Sequence, residues 1–367
     1  TAGAGSHRQV FLMTPTKPAR VVVAMSGGVD SSVAAALLKD AGHEVIGVTM
    51  RLFPACDGAA EPREQAIEDA RRAAARLSIP HHVAELAGLF QRQVLDYFLD
   101  EYRRARTPNP CVRCNQRIKF GALLDQARAL GGEFLATGHY VRLAAREGRY
   151  AVCRAACREK DQSYVLSGLS QEQLARVVFP LGDLTKDETR TIARSLGLDL
   201  ADKSDSQDIC FLEGGDYRGY LARQGASGGP GPIVSASGEV LGTHTGLANY
   251  TVGQRKGLGI AAPRPYYVLR LLPERNTVVV GFHEETFAKG LTASGVVWSG
   301  MPPQTAPFEC HIQIRYRHEA VSCTVTPAPG RFSAVFHAPQ RAVTPGQWAV
   351  LYRGDMVLAA GTIDTFE

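Results

Sequence analysis

The sequence predicts a doubly wound α/β domain built on a parallel sheet, followed by a small β-rich central domain and a C-terminal β-barrel. Two observations support this order. Strand-like and helix-like runs alternate through the first part of the chain, and after the turn-rich residues 225–232 only short strand-like runs remain, separated by Pro and Gly. We expect a tail at 1–16 that lacks order or derives from the expression vector, an α/β domain at 17–216, a central domain at 217–288 and a barrel at 289–367.

The first strand–helix–strand unit sets the parallel sheet. Residues 20–25 are rich in Val and predict a buried strand. Residues 33–41 are small and apolar and predict a helix that Gly42 ends, and residues 43–50 predict the second strand. A strand, a helix and a second strand in this order are typical of a parallel sheet.

The alternation continues after this unit. Apolar residues spaced by three and four predict helices at 63–77, at 118–130 and along the face formed by Phe90, Val94, Phe98 and Tyr102. Short apolar runs predict strands at 81–84 and 133–137. Thr185 and Glu188 form a capping box and predict the start of another helix. The strands predicted in the last third are 266–272, 277–281, 312–317, 321–326, 348–352 and 356–363.

The composition excludes several classes of protein. The chain is 45% hydrophobic and 21% charged, which is typical of a globular protein. No apolar run approaches the roughly 18 residues of a membrane helix, and no secretory signal is evident, so we expect a cytoplasmic protein without a membrane partner. Eight Cys are too few for a disulfide scaffold. The net charge of +5 is too mild to prove a nucleic-acid partner.

A glycine-rich loop follows the first predicted strand and opens the first predicted helix. Its sequence is SGGVDS, from Ser26 to Ser31. Glycines let backbone N–H groups approach phosphate oxygens, and a helix N-terminus adds positive potential. The loop has neither the Lys of G-x-x-x-x-G-K-[ST] nor the spacing of G-x-G-x-x-G. A phosphate site is therefore predicted, with a plain turn as the alternative.

SGGVDSS resembles the pyrophosphate loop of the ATP pyrophosphatase superfamily, which cleaves ATP between its α- and β-phosphates. The resemblance implies that the triphosphate lies on the loop, that Asp30 binds Mg²⁺ or a phosphate-bound water, and that adenine lies near Met50 at the carboxyl edge of the sheet. The residues implied in ATP binding are Ala24, Met25, Ser26, Gly27, Gly28, Val29, Asp30, Ser31, Met50 and Gly138.

Cysteines at two distant places form the second candidate site. Residues 107–120 read TPNPCVRCNQRIKF, whose two prolines predict an extended loop. The window 103–119 holds six basic residues and no acid, which predicts a lowered thiol pKa at Cys111 and Cys114. Cys210 lies in the polar stretch 204–212. A structural zinc site and three unrelated cysteines are the alternatives.

Seven sequence blocks in order resemble the bacterial tRNA-specific 2-thiouridylases, over about residues 20–363. The resemblance implies that ATP adenylates O2 of the wobble uridine and that a persulfide on Cys210 delivers sulfur. Cys114 would then release that sulfur and form a disulfide with Cys210, whose loop we expect to be mobile. The blocks are TPNPCVRCNQRIKFGALL, ATGHY, KDQSYVL, DSQDICF, YTVGQRKGLGI, IRYR and TPGQWAVLY.

Cys111 departs from the family pattern, because many members carry Asp at this position. A thiol cannot simply replace a carboxylate in acid–base chemistry. Three cysteines would instead converge, and Cys111, Cys114 and Cys210 could hold an iron–sulfur cluster with one open iron. The persulfide relay and the cluster therefore remain as alternatives.

The resemblance also implies contacts with the anticodon stem-loop of tRNA and a partner that supplies persulfide sulfur, either a sulfur-relay protein or a cysteine desulfurase. We expect a monomer that uses ATP and Mg²⁺. The rivals are other synthetases of the superfamily, the 4-thiouridine enzyme and a non-catalytic RNA- or metal-binding module. The implied tRNA contacts are Asn109, Pro110, Cys111, His139, Lys160, Asp161, Gln162, Arg315, Tyr316 and Gln347.

Overall fold

The structure of the chain is a computed structural model that describes residues 10–11, 15–54, 62–146, 148–198 and 209–367. Residues 204–208, ahead of Cys210, and most of the expected tail lie outside these ranges. The described residues form a five-stranded, a four-stranded and a nine-stranded sheet with their helices. The predicted order of an α/β domain, a β-rich domain and a barrel is confirmed.

Five parallel strands form the centre of the first domain, in the order β4-β3-β2-β5-β8. Residues 21–23 of the middle strand are fully buried, because helices cover both faces of a parallel sheet. The strands predicted at 20–25, 43–50, 81–84 and 133–137 are confirmed. The strands of this part of the chain are β1 (Val10–Phe11), β2 (Arg20–Ala24), β3 (Glu44–Arg51), β4 (His81–Glu85), β5 (Phe134–Thr137), β6 (Arg142–Arg146), β7 (Arg149–Cys153) and β8 (Val177–Val178).

Helices connect these strands. The first begins at Val29, earlier than predicted, because Gly28 is its N-cap. The side chain of Thr185 accepts a hydrogen bond from the N–H of Glu188, which confirms the capping box. The helices are α1 (Val29–Asp40), α2 (Pro62–Arg76), α3 (Ala87–Phe90), α4 (Asp96–Arg103), α5 (Pro110–Cys114), α6 (Leu123–Ala129), α7 (Ser163–Leu166), α8 (Gln171–Leu174), α9 (Lys186–Ser195) and α10 (Tyr217–Arg223).

Two π-helical turns join neighbouring helices beside the first cysteine pair. Gln91–Leu95 connects α3 to α4, and Asn115–Ala122 connects α5 to α6. The helix predicted at 118–130 therefore begins earlier, at Pro110, and the extended loop predicted there is wrong from Pro110 onward. The prolines misled the prediction, although Pro is common in the first turn of a helix. Turns of this π type often occur at functional sites.

The central domain is a four-stranded sheet in the order β10-β9-β12-β11. The hairpin of β9 and β10 lies beside the hairpin of β11 and β12, because β9 pairs with β12 in parallel. The strands predicted at 266–272 and 277–281 are confirmed. The strands are β9 (Gly231–Ser235), β10 (Val240–His244), β11 (Tyr267–Leu272) and β12 (Thr277–Gly281).

The last six strands close into an antiparallel barrel, because the final strand pairs with both β13 and β17. β7 of the first domain pairs with β18 at Met356, and this pairing joins the barrel to the first domain. The strands are β13 (Phe287–Trp298), β14 (Phe308–Gln313), β15 (Val321–Ala328), β16 (Arg331–Arg341), β17 (Trp348–Arg353) and β18 (Met356–Phe366).

One predicted strand of the barrel ends early. The prediction placed residues 312–317 on one strand, but β14 ends at Gln313 and the chain turns, with Arg317 in a left-handed conformation (φ 60°). Arg315 and Tyr316 consequently lie on a turn and are not bound to opposite faces of a strand. Among the described helices, none combines the length and the apolar character needed to cross a lipid bilayer.

Candidate active site

The loop at residues 24–31 lies at the carboxyl edge of the parallel sheet, between β2 and α1; we call it the phosphate loop. Gly27 has a left-handed backbone (φ +69°), and a Cβ there would lie 2.1 Å from the carbonyl oxygen of Ala66 in α2. Only glycine therefore fits between the loop and α2. No described side chain caps the twelve-residue α1 at Gly28. The first N–H groups of α1 are therefore open to an anion.

Two serines hold the phosphate loop in shape. The hydroxyl oxygen of Ser31 accepts a hydrogen bond from the N–H of Ser26 at 3.1 Å and donates to the carbonyl of Gly28 at 3.2 Å. The hydroxyl of Ser32 donates to the same carbonyl at 3.0 Å. These bonds pre-form the turn, so that an incoming phosphate would not have to order it.

The apolar residues of the loop face the interior. Met25 and Val29 are buried in the core on the α1 side of the sheet, so they can offer only backbone groups to a ligand. Ala24 ends β2 and is partly buried. Met50 lies near the carboxyl end of β3, also partly buried, on the other apolar core. The adenine contact that the resemblance implies for Met50 stays a prediction.

Asp30 is held by a cluster of side chains that the sequence analysis missed. Both of its carboxylate oxygens accept hydrogen bonds from Nζ of Lys186, at 2.8 and 2.9 Å. The hydroxyl of Tyr140 donates to Oδ1 of Asp30 at 2.9 Å and lies 3.0 Å from the hydroxyl of Thr189. The one sequence feature that could have pointed to Lys186 was its position directly after the predicted N-cap, Thr185. Lys186 thus supplies a positive charge beside Asp30, and the expected role of Asp30 in binding Mg²⁺ or a phosphate-bound water stays a prediction.

Gly138 and His139 connect the phosphate loop to the cysteines. A Cβ on Gly138 would lie 2.7 Å from backbone atoms of Asp30 and of the next residue, so Gly138 packs directly on the loop. His139 is held by Thr137, 2.7 Å from its Nδ1, and by Nζ of Lys119, 3.4 Å from its Nε2. Burial lowers the pKa of His139 well below its usual value, and the charge of Lys119 adds to this effect. His139 is therefore neutral at physiological pH.

Cys114 is buried at the end of α5, close to the other two cysteines of the predicted site. Burial raises its pKa to about 12, and negative charge on Cys210 or Cys111 would raise that pKa further. The charge of Lys119 opposes these effects. The prediction that the basic window lowers the pKa of this thiol is therefore wrong, because desolvation outweighs the nearby charge. We call the space shared by the three thiols the thiol recess.

Most basic residues of the window 103–119 interact with groups other than the three thiols. Its first three arginines pair with Asp100 and Glu101. Arg113 donates to a carbonyl of the π-helical turn that precedes α4. Lys119 is the member whose charge acts on Cys114. The sequence showed the number of charges, but not the acids that neutralise them.

Cys210 is exposed and is followed by a buried aromatic anchor. The ring of Phe211 packs edge-on against Phe98, with centroids 5.1 Å apart, and lies 5.3 Å from the ring of Tyr220. Phe90 completes this aromatic cluster. The anchor holds Cys210 at the thiol recess. The residues before Ile209 that would complete the expected mobile loop lie outside the described part of the chain.

The three thiols do not form a metal-ligand group among the described residues. Among the described residues, which include Cys111, Cys114 and Cys210, no three His, Cys, Asp or Glu side chains are grouped closely enough to hold a metal ion. A ligand set for a cluster or a zinc ion is thus not formed in the described part of the chain, and the persulfide relay and the cluster stay alternatives.

The residues expected beside the target base form the start of α5. Oδ1 of Asn109 accepts hydrogen bonds from the N–H groups of Cys111 and Val112, at 3.1 and 3.2 Å, and caps the helix. Pro110 is buried at the first helical position. Cys111 is exposed to solvent by its accessible area, but the surrounding protein still desolvates its thiol and raises its pKa, against the effect of Lys119. Cys111 is therefore the exposed member of this set.

The 160–162 segment uses several of its polar groups inside the protein. The carboxylate of Asp161 accepts hydrogen bonds from the N–H of Ala155 and from both the N–H and the hydroxyl of Ser163. Oε1 of Gln162 accepts from the N–H of Tyr140 at 2.8 Å. Lys160 is partly exposed. These bonds fix the segment beside the phosphate loop.

The barrel residues expected to contact tRNA are bonded within the barrel or to the chain before α5. Gln347 donates to the carbonyl of Thr107 at 2.8 Å and so ties the barrel to the chain that leads to Asn109. Arg315 donates to the carbonyl of Arg341 at 3.0 Å. The ring of Tyr316 is 41% exposed, although the chain buries most of its large apolar side chains.

Three family models match consecutive parts of the chain. The model described as tRNA methyl transferase HUP domain matches residues 19–214. The tRNA methyl transferase PRC-barrel domain matches residues 218–282, and the aminomethyltransferase beta-barrel domain matches residues 288–363. The first model alone covers more than half of the chain.

Relatives match the chain over almost its whole length. The tRNA-specific 2-thiouridylase MnmA of Geobacter metallireducens is 50% identical over 363 residues, which cover 96% of this chain and 98% of the relative. The protein of the same name from Pelotomaculum thermopropionicum is 46% identical over 355 residues, 94% of this chain and 97% of its own. The solved structure of the U34-tRNA thiolase NcsA from Methanococcus maripaludis aligns with 57% of this chain and 68% of its own, at 20% identity and a TM-score of 0.34. With near-complete coverage and about half of all residues identical, the chain belongs to the family of tRNA-specific 2-thiouridylases.

Proposed function

We propose that the protein is a tRNA 2-thiouridylase, a sulfurtransferase that uses ATP to replace O2 of the wobble uridine with sulfur. One juxtaposition carries the proposal. Gly138 packs on the phosphate loop, and the next residue, His139, contacts Lys119, whose charge acts on Cys114. An adenylated base formed at the loop would therefore lie beside the sulfur that acts on it.

The first step would take place at the phosphate loop. The N–H groups of α1 would hold the phosphates of ATP, which would arrive with Mg²⁺ as the MgATP substrate. O2 of the uracil attacks the α-phosphorus, and pyrophosphate leaves. The base now carries an adenylate on O2. AMP, which takes this oxygen with it, is a far better leaving group than an oxide.

The second step would take place in the thiol recess. The terminal sulfur of a persulfide on Cys210 attacks C2, and AMP departs with its oxygen. Cys114 then attacks Sγ of Cys210 and cleaves the sulfur–sulfur bond, which leaves 2-thiouridine and a Cys114–Cys210 disulfide. An external dithiol reduces the disulfide. One sulfur enters the base, and the two electrons that leave the cysteines come back from the reductant.

The raised pKa of Cys114 fits this order of events. At neutral pH the buried thiol stays protonated, because burial raises its pKa to about 12. A protonated thiol attacks a persulfide poorly, since the thiolate is the nucleophile. Cys114 is therefore restrained in the free protein, which fits its place as the second thiol to act.

The expected tRNA contacts include groups suited to single-stranded RNA. A uridine in an anticodon must leave its stack to reach the phosphate loop. The exposed ring of Tyr316 offers a stacking surface, and Lys160 and Arg315 add positive charge. Asn109, Pro110, Cys111 and His139 would flank the target base, with Asp161, Gln162 and Gln347 shaping the surrounding loops through their internal bonds.

The test is incubation of the protein with unmodified tRNA, ATP and a persulfide donor, followed by mass spectrometry of the nucleosides. We expect 2-thiouridine at the wobble position, together with AMP and pyrophosphate. Bound tRNA without 2-thiouridine would overturn the assignment.

Iron analysis of anaerobically purified protein separates the relay from a cluster, since an iron-free active enzyme supports the relay and iron-dependent activity refutes it. The same assay with purified sulfur-relay proteins or a cysteine desulfurase identifies the donor.

A further inference from the structure

A buried hydrogen-bond cluster joins the phosphate loop to the 160–162 segment, and Tyr140 is at its centre. The hydroxyl of Tyr140 donates to Asp30 and lies beside Thr189, at 2.9 and 3.0 Å. The N–H of Tyr140 donates to Oε1 of Gln162 at 2.8 Å, and its carbonyl accepts from the N–H of Gln162 at 3.0 Å. One residue, 3% exposed, is thus bonded to both segments.

The contact with the phosphate loop is close as well as polar. Gly138 packs so tightly on the backbone at Asp30 and Ser31 that a single added carbon would overlap with it. Lys186 fixes the carboxylate of Asp30 from another side. A displacement of the chain at Tyr140 would therefore move the first turn of α1, where the phosphates of ATP are expected, because close-packed groups transmit strain.

We propose that Tyr140 is a positioning residue that couples tRNA binding at the 160–162 segment to ATP binding at the phosphate loop. The proposal rests on the proposed function, because it takes this segment as a tRNA contact. Bound tRNA would shift Gln162 and with it the main chain of Tyr140, because the two residues are hydrogen-bonded to each other. The Tyr140 hydroxyl would then hold Asp30 in the position that admits the phosphates. By linkage, ATP would tighten tRNA binding by the same factor.

The test uses Tyr140→Phe, which keeps the buried ring and removes the hydroxyl. The affinity for α,β-methylene ATP is measured by calorimetry with and without unmodified tRNA. We expect tRNA to tighten binding of the analogue about ten-fold in the wild type, within the usual range of coupling between sites. In Tyr140→Phe this factor should fall to about one to two-fold, while the tRNA affinity measured without nucleotide stays within about two-fold of wild type.

Two matched variants exclude a merely structural effect. Tyr102→Phe makes the same change at a buried tyrosine of α4, away from the phosphate loop, and should keep the coupling. Thr189→Val removes the other neighbour of the Tyr140 hydroxyl and leaves the bond to Asp30, so it should also keep the coupling. Loss of coupling in either variant would overturn the specific role of the bond between Tyr140 and Asp30.

The outcomes separate this inference from the proposed function. A wild type that forms 2-thiouridine but shows no coupling refutes the inference alone, as does a Tyr140→Phe variant with wild-type coupling. A wild type that forms no 2-thiouridine refutes the function itself. Loss of coupling in Tyr140→Phe with both controls intact supports the inference.

Discussion

The phosphate loop and the thiol recess are adjacent but are built by opposite means. The loop is held by hydrogen bonds and by the ion pair between Asp30 and Lys186. The recess is held by apolar burial, with Cys114 in the core and Phe211 anchoring Cys210. A phosphate needs donors that are already in place, whereas a restrained thiol needs surroundings that disfavour its charge. Two half-reactions in one enzyme thus require two different local environments.

The largest expected effect is the loss of thiolation when the thiol of Cys114 is removed, with ATP binding at the phosphate loop left intact. Cys114→Ala should lower thiolation by about 10³-fold or more, because the attacking sulfur is gone. Binding of ATP should be unchanged, since the phosphate loop does not use this side chain. Nucleoside mass spectrometry and calorimetry measure the two properties. Cys157→Ala is the control and should retain activity, because the proposed relay uses only Cys114 and Cys210. Residual thiolation near the wild-type rate in Cys114→Ala would refute the relay.

A second change should damage the phosphate loop and leave the thiols intact. Gly138→Ala introduces a carbon 2.7 Å from the backbone of Asp30, so the loop must shift. We expect the affinity for ATP to fall by about ten-fold to a hundred-fold, which corresponds to about 1.4 to 2.8 kcal/mol. Calorimetry with α,β-methylene ATP measures it.

Gly88→Ala is the matched control for this change. Its added carbon would meet only the end of the Arg92 side chain, at 3.5 Å, and the residue lies in a helix with an ordinary backbone conformation. We expect wild-type affinity for ATP. If Gly138→Ala binds ATP as tightly as Gly88→Ala, the close contact does not shape the loop.

A third change tests the electrostatics of the recess. Lys119 lowers the pKa of Cys114, so Lys119→Met should raise that pKa further and slow alkylation by iodoacetamide about ten-fold at neutral pH. Because the pKa is about 12, the rate should rise with pH throughout the range in which the protein is folded. Labelling of Cys114 is followed by peptide mass spectrometry. Lys119→Arg keeps the charge and should react like the wild type, and equal rates in Lys119→Met would exclude this role.

The smallest effect concerns the position of Cys210. Phe211→Leu shrinks the anchor but keeps it apolar, and it should slow formation of the Cys114–Cys210 disulfide about three-fold. Phe211→Ala should slow it more, at a cost of about 3–5 kcal/mol in stability. Non-reducing peptide mapping after one turnover measures the disulfide, and thermal unfolding measures the stability. Disulfide formation at the wild-type rate in both variants would show that Phe211 does not position Cys210.

The alternation of strands and helices determined the first domain, because periodicity reports which face of each element is buried. The phosphate loop was predicted from its glycines and its place between a strand and a helix, since phosphate binding by backbone groups depends on local sequence. The helix start at Pro110 was missed, because proline is favourable both in a loop and in a first helical turn. The sequence showed where the cysteines lie along the chain, but it did not show that burial would raise the pKa of Cys114.

The sequence by itself determined the fold class, the phosphate loop and the cysteines, because each depends on residue type and spacing along the chain. Only the tertiary structure decided that burial raises the pKa of Cys114, that Lys119 is the basic residue facing it, and that Lys186 and Tyr140 hold Asp30. These properties arise between residues far apart in sequence. Desolvation and ion pairing depend on distances that folding alone creates, and so no local pattern could reveal them.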